Sequence, residues 1–173
     1  LVSIFFGGGT PSLMPPELVG AVIDKASSIW QFADDIEITL EANPKSTEIA
    51  KFSALRKTGV NRVSIGVQSF DEDILNFLGR LHNPDMAREA IAAAKEMFDR
   101  FSFDLMYTHP KQSLDSWQKE LEYALSLAGK HLSLYQLTIE KGTEFYKAYR
   151  EKEFVMPDDD KSRDFYMLTE KIM

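Results

Sequence analysis

The stretch Phe5-Phe6-Gly7-Gly8-Gly9-Thr10-Pro11 decides how this chain is read. An apolar run, Val2 to Phe6, reads as a buried strand, and it stops abruptly at three consecutive glycines. Glycine has no Cβ and reaches positive φ readily, so backbone amides there can approach a polar ligand closely. Thr10 adds a hydroxyl and Pro11 stiffens the exit. The same residues also suit a plain tight turn. The ligand reading gains weight because later strands end in polar residues of the same kind.

Outward from the glycines, Pro15-Pro16-Glu17 suits a helix start, and Leu18, Val22, Ala26 and Ile29 recur at helical spacing, with Val19, Ile23 and Trp30 widening the stripe. Ile36 to Glu41 alternates as a second strand, ending in Glu41-Ala42-Asn43-Pro44. Ser46 or Thr47 caps a helix carrying Ile49, Phe52 and Leu55, closed by Gly59. Val60 to Val67 is a third strand with Gln68 at its end, and Ser69 to Glu72 fits a capping box. Asn83-Pro84 starts a longer helix, with Met86, Ala90, Ala93, Ala94 and Met97 towards the sheet. Phe101 to Tyr107 is the fourth strand. Ser113 caps a helix with Leu114, Trp117, Leu121, Leu125 and Ala128 inward; His131 to Ile139 is the fifth strand; Pro157-Asp158 opens a final helix. Such alternation implies an α/β fold with a parallel sheet, open or curled as a barrel, whose ligands sit at the carboxyl ends of the strands.

The 173 residues, 44% of them hydrophobic, suffice for one domain or most of one. A net charge of −7 without a basic run argues against nucleic acid or a membrane surface as partner. No apolar stretch approaches the ~20 residues of a membrane span, and no signal-peptide layout is present, which points to the cytoplasm. There is no cysteine, hence no thiolate for zinc or an iron–sulfur cluster. Leu1 falls inside a strand and Lys171-Ile172-Met173 inside a helical pattern, so the chain reads as an internal piece of a longer protein.

Four side chains, three at or near strand ends and one after a helix-end glycine, could meet a ligand. Glu41 can accept hydrogen bonds from ribose hydroxyls or an ammonium, or serve as a solvated strand-end acid. Gln68 both donates and accepts, as a sugar hydroxyl requires, or satisfies loop backbone. Arg80, after Gly79, can bind a carboxylate or favour the negative end of a helix dipole. Asp104 lies between Phe103 and Leu105, where an acid is costly unless paired; it serves a ligand or a buried pair with Arg62 or Arg80. His82, His109 and His131 lack metal-ligand spacing, and no Ser-His-Asp order, P-loop or Rossmann fingerprint is present. No catalytic residue and no metal ligand is assigned.

Gly7 to Ser12, Leu40 to Pro44, Val60 to Phe70, Leu78 to His82, Asp104 to Tyr107 and Leu132 to Glu140 together resemble the radical S-adenosylmethionine (SAM) family. Within it they are similar to the group of oxygen-independent coproporphyrinogen III oxidase (HemN) and the haem chaperone HemW. The resemblance implies a partial (β/α)6 TIM-like barrel, truncated to about five parallel strands with outer helices, with SAM across the strand ends. Residues 1–140 would form the core, without its first βα unit, and 141–173 the start of a C-terminal region. By position, Gly8, Gly9 and Thr10 would grip the methionine end of SAM, and Arg80 its carboxylate. Glu41, Gln68 and Asp104 would contact SAM, including its ribose, and Thr138 would touch it through backbone. Ser133 to Glu140 and Leu40 to Pro44 look like HemW, which implies haem binding and delivery to apo-haemoproteins. The oxidase alternative implies a porphyrinogen substrate and radical oxidative decarboxylation of propionates. The family's three-cysteine motif for a 4Fe–4S cluster is expected upstream of Leu1, in the full-length parent, and the haem-contacting region beyond Met173.

Overall fold

A computed structural model describes residues 1–173. Strands β1 (Ser3–Phe6), β2 (Glu37–Ala42), β3 (Arg62–Gln68), β4 (Arg100–Tyr107) and β5 (Ser133–Gln136) follow one another across one sheet in chain order. β1 pairs with β2 and β2 with β3 in parallel, with Phe6 opposite Leu40 and Ala42 opposite Ile65. Helices fill every connection, as parallel crossovers require: α1 (Pro16–Ile29); α2 (Ser46–Ile49) and α3 (Phe52–Lys57); α4 (Glu72–Phe77) and α5 (Pro84–Met97); α6 (Leu114–Leu127). Helices α7 (Glu144–Arg150) and α8 (Asp159–Ile172) follow β5. No helix is long and apolar enough to cross a membrane.

The chain divides into two compact units, Leu1–Asp104 with Ala128–Ser133, and Leu105–Leu127 with Leu134–Met173. In the first, strand alternation sorts the sheet into two faces. Ile38, Leu40, Val63, Ile65, Val67 and Phe103 are buried, and α5 packs on β3 through its own buried Ala87, Ala90, Ile91 and Ala94. Phe52 of α3 meets Phe98 edge-on, ring centroids 5.5 Å apart. The opposite face carries Thr39, Glu41, Arg62, Ser64, Gln68, Ser102 and Asp104. It is a polar face, and it holds the candidate site.

Several local expectations need correction. β1 is an edge strand with one neighbour, so Val2 and Phe5 are 75% and 59% exposed rather than buried. In α1 only Val19 and Ile23 are buried, while Leu18, Val22, Ile29 and Trp30 of the expected stripe stay exposed. The Ser46 segment is two short helices, with neither Ser46 nor Thr47 as cap. Asp71, rather than Ser69, caps α4, its Oδ1 accepting from Asp73 and Ile74 N–H at 2.8 and 3.2 Å. Ala87 and Ile91 replace Met86 and Ala93 among the buried residues of α5, and Leu114 and Leu125 stay exposed on α6. Helix α7, in a segment of weak periodicity, is capped by Thr143 accepting from Tyr146 N–H at 3.1 Å.

The second unit is built around Trp117, which is fully buried and stacks on Tyr107 with centroids 4.7 Å apart. Its indole N–H donates to Thr169 Oγ1 on α8 at 2.8 Å, and Thr169 in turn donates to Phe165 O. Thr169→Val keeps shape but orphans a buried indole N–H, which costs about 1–3 kcal/mol. The expected result is a lower urea midpoint for the Trp117 fluorescence transition, measured in a Trp30→Phe background where Trp117 is the sole indole.

Candidate functional site

The site grows from the exit of β1. Gly8 and Gly9 adopt φ of 83° and 61°, the left-handed region open to glycine, with free space where a Cβ would project. Gly8 N–H donates to Glu41 Oε2 at 3.1 Å, so the carboxylate at the end of β2 holds the turn. Thr10 comes next, its carbonyl accepting from Leu13 N–H at the single 3-10 turn Pro11–Leu13. An open hollow beside the turn is lined by Phe5, Phe6, Gly7, Gly8 and Thr10.

At the exit of β3 the crowding is tighter. A Cβ on Gly66 would lie 3.2 Å from both Arg80 Nη2 and Gln68 Nε2 and 3.7 Å from Asn43 Oδ1. A side chain at this position would press on the ends of Arg80 and Gln68. Arg80 is delivered by the end of α4: Gly79 turns at φ 66°, and Arg80 N–H reaches back to Leu75 O, as in a Schellman closure. Its Nη2 donates to Asn43 Oδ1 at 2.9 Å and to Gly66 O at 3.3 Å. Neither acceptor is a carboxylate. Burial lowers the Arg80 pKa, opposed by the fields of Asp104 and Glu48. The result is a half-buried cation with neutral direct partners, suited to an incoming carboxylate.

Gln68 ends β3 at φ 70°, unusual for a residue with a side chain, and its Oε1 is buried with no hydrogen-bond partner. Such an acceptor suits a ligand N–H or O–H. The preceding carbonyl, Val67 O, lies 2.9 Å from Nε2 of the buried His82. Because a carbonyl can only accept, Nε2 donates; burial lowers the His82 pKa, partly opposed by that bond, and Arg80 and Lys45 lower it further.

Asp104 pairs with neither arginine directly. Ser64 Oγ donates to its Oδ1 at 3.4 Å and the Ser133 hydroxyl also bonds it. Its pKa is raised, mainly by burial and further by the Glu41 charge, against the lowering effect of the two hydroxyls and Arg62. Arg62 is used elsewhere, on Thr39 Oγ1 at 3.2 Å, Ser102 Oγ at 2.8 Å, His131 Nδ1 at 3.2 Å and Glu37 Oε1 at 3.5 Å.

The first unit thus contains Gly8, Gly9, Thr10, Glu41, Gln68, Arg80 and Asp104; Thr138 lies in the second unit, exposed and beyond the end of β5. Direct contacts and electrostatic fields link Gly8 to Glu41, Glu41 to Asp104 and Asp104 to Arg80, while Arg80 and Gln68 both lie against Gly66. Sequence reasoning missed Gly66, the acceptor role of Asn43, and Glu48. Glu48 had a readable signal: it stands four and seven residues before Phe52 and Leu55, in phase with the buried stripe, and is itself fully buried.

Residues 1–124 match the family model of the radical SAM superfamily. The chain belongs to that superfamily. It is 43% identical over 98% of its length to "Radical S-adenosyl methionine domain-containing protein 1, mitochondrial" of Dictyostelium discoideum, covering 41% of that protein. To "Heme chaperone HemW" of Escherichia coli (strain K12) it is 43% identical over 95% of its length, covering 43% of it. The chain therefore spans about two fifths of the length of these curated relatives. Among solved structures, coproporphyrinogen III oxidase (HemN) from Escherichia coli superposes with a TM-score of 0.79 at 25% identity, over 98% of this chain and 39% of the oxidase. The fold is accordingly a partial radical SAM barrel.

Because burial raises the Asp104 pKa in the folded chain above its unfolded value, folding takes up a proton there. The destabilisation is absent below the unfolded pKa and grows to its full size as pH rises through the folded one. Asp104→Asn, which keeps an acceptor and drops the charge, is expected to raise the thermal midpoint at neutral pH. The gain should vanish in acid, which thermal scans from neutral pH downwards would check.

Proposed function

We propose that this chain is the SAM-binding core of a HemW-like haem chaperone, a protein that binds haem and delivers it to apo-haemoproteins. Residues 1–140 carry the core and 141–173 begin the C-terminal region. The observation that carries the reading is Arg80, a half-buried guanidinium whose direct partners are neutral acceptors, next to the unpartnered Gln68 Oε1. An amino-acid carboxylate and a hydroxyl- or amine-bearing nucleoside need such a pair. Gly8, Gly9 and Thr10 offer the methionine end a turn without side-chain obstruction on its two glycines. Glu41 and Asp104 are the acceptors for ribose hydroxyls. SAM supplies the family's radical chemistry only when a 4Fe–4S cluster reduces it. These residues contain no cysteine, so the thiolates of such a cluster would have to come from outside them.

Likeness to HemW at 43% identity favours the chaperone. The structural likeness to HemN carries the second reading, an enzyme that oxidatively decarboxylates the propionates of a porphyrinogen. Formation of a vinyl product by the parent protein under anaerobic, reducing conditions would select the oxidase; haem binding without such turnover selects the chaperone. The compartment depends on the parent: the cytoplasm for a bacterial chaperone, the mitochondrion for a protein like the Dictyostelium relative, whose name carries that label.

Titration calorimetry with S-adenosylhomocysteine, which needs no cluster, tests the core. Saturable binding is expected, and Arg80→Ala should weaken it about tenfold or more, the scale of one charge-assisted bond. Unchanged affinity in Arg80→Ala would remove Arg80 from the site.

A further inference from the structure

Glu48 is a buried acid to which SAM binding by the strand-end residues gives no task. It sits on α2 at 0% exposure, and Oε2 accepts from two places at once: the Ser12 hydroxyl and Asn43 N–H, the latter at 2.7 Å. Ser12 lies two residues past Thr10, on the turn that leaves the glycines. Asn43 ends the β2 exit, and its side-chain Oδ1 accepts from Arg80 at 2.9 Å. Lys51 Nζ also holds this turn, donating to Ser12 O at 3.3 Å and Leu13 O at 2.9 Å. One carboxylate therefore joins the glycine turn to the arginine, through Ser12 on one side and Asn43 on the other.

The other oxygen, Oε1, is buried without a hydrogen-bond partner. A carboxylate half-satisfied in the interior is costly unless a nearby positive field compensates it. Arg80 provides that field, since the two charges interact without an ion-pair contact. With Asp104, Glu48 favours the Arg80 cation against burial while sparing its remaining N–H groups. A direct salt bridge would occupy the donors that a ligand carboxylate needs.

We propose that Glu48 is a positioning residue for the amino-acid end of the bound nucleoside. It fixes the spacing between the Gly8–Thr10 turn and Arg80, and acts as a remote counter-ion that leaves the guanidinium free. The proposal rests on the SAM-binding reading. It acts at one end of the ligand only, which separates it from a general contribution to folding.

Calorimetry on the intact chain with two probes makes that separation. S-adenosylhomocysteine carries the amino-acid end and 5′-methylthioadenosine lacks it. Glu48→Gln is expected to weaken S-adenosylhomocysteine about tenfold while methylthioadenosine changes less than about twofold. Ser12→Ala keeps the charge and removes one strut; it should show the same selectivity with a smaller loss, and it decides the matter if Glu48→Gln does not fold. Equal losses for both probes, or no loss for either, would overturn the positioning role. Failure of the unaltered chain to bind either probe would instead overturn the SAM-binding reading, and this proposal with it.

Discussion

The missing side chain of Gly66 is the constraint on which the site depends. Arg80 Nη2 and Gln68 Nε2 each come within 3.2 Å of where its Cβ would stand, and Asn43 Oδ1 within 3.7 Å. Three polar side chains from three separate segments converge on a strand end more easily where the strand yields room, because an extra methyl there would press on the Arg80 and Gln68 side chains. Arg80 then uses the freed space to reach the Gly66 carbonyl. The backbone of β3 thus becomes a partner of the cation, and the rest of the polar face is arranged about that point. Asn43 is tied through its own N–H to Glu48, and Glu48 to Ser12, so the crowding over Gly66 is communicated to the glycine turn on β1.

The polar face is expensive for the fold. Burial raises the Asp104 pKa and lowers that of Arg80, so each group resists its charged form, and the Glu41 carboxylate adds to the strain on Asp104. A structural site would relieve this with a direct Asp–Arg contact, yet the hydroxyls of Ser64 and Ser133 serve Asp104 and the amide of Asn43 serves Arg80. Keeping opposite charges apart is unfavourable in a free chain and useful where each has a ligand group to meet. Strain of this kind gathers at functional positions.

Much of this was legible because it is local. A glycine run after an apolar strand, an acid inside an alternating strand and an arginine after a C-terminal glycine each announce themselves within a few residues. The parallel sheet is implied by strand–helix alternation in the same way. What periodicity misjudged was coverage. Leu18, Val22 and Ile29 share a helical face that stays about half exposed, Trp30 falls past the helix end, and Phe5 lies on an edge strand, so hydrophobic spacing located the elements and overstated their burial. Spacing reports which residues share a face, and only the tertiary arrangement decides whether anything packs against it.

Glu48 and Asn43 illustrate the other limit. Nothing in Asn43-Pro44 distinguishes an amide that breaks a strand from one that orients an arginine 37 residues away. Glu48 stands in phase with Phe52 and Leu55, and an acid on a buried stripe is a recognisable conflict between pattern and chemistry. Such conflicts survive when something compensates them. Here the compensation is a hydroxyl from the glycine turn, a backbone amide just past β2 and the field of Arg80, groups from three separate segments. An isolated violation of the hydrophobic pattern is therefore informative in its own right: it says that polar partners must arrive from other segments. In a parallel α/β fold the place where several segments deliver polar groups together is the carboxyl edge of the sheet. Glu48, though it sits on a helix, belongs by that reasoning to the site.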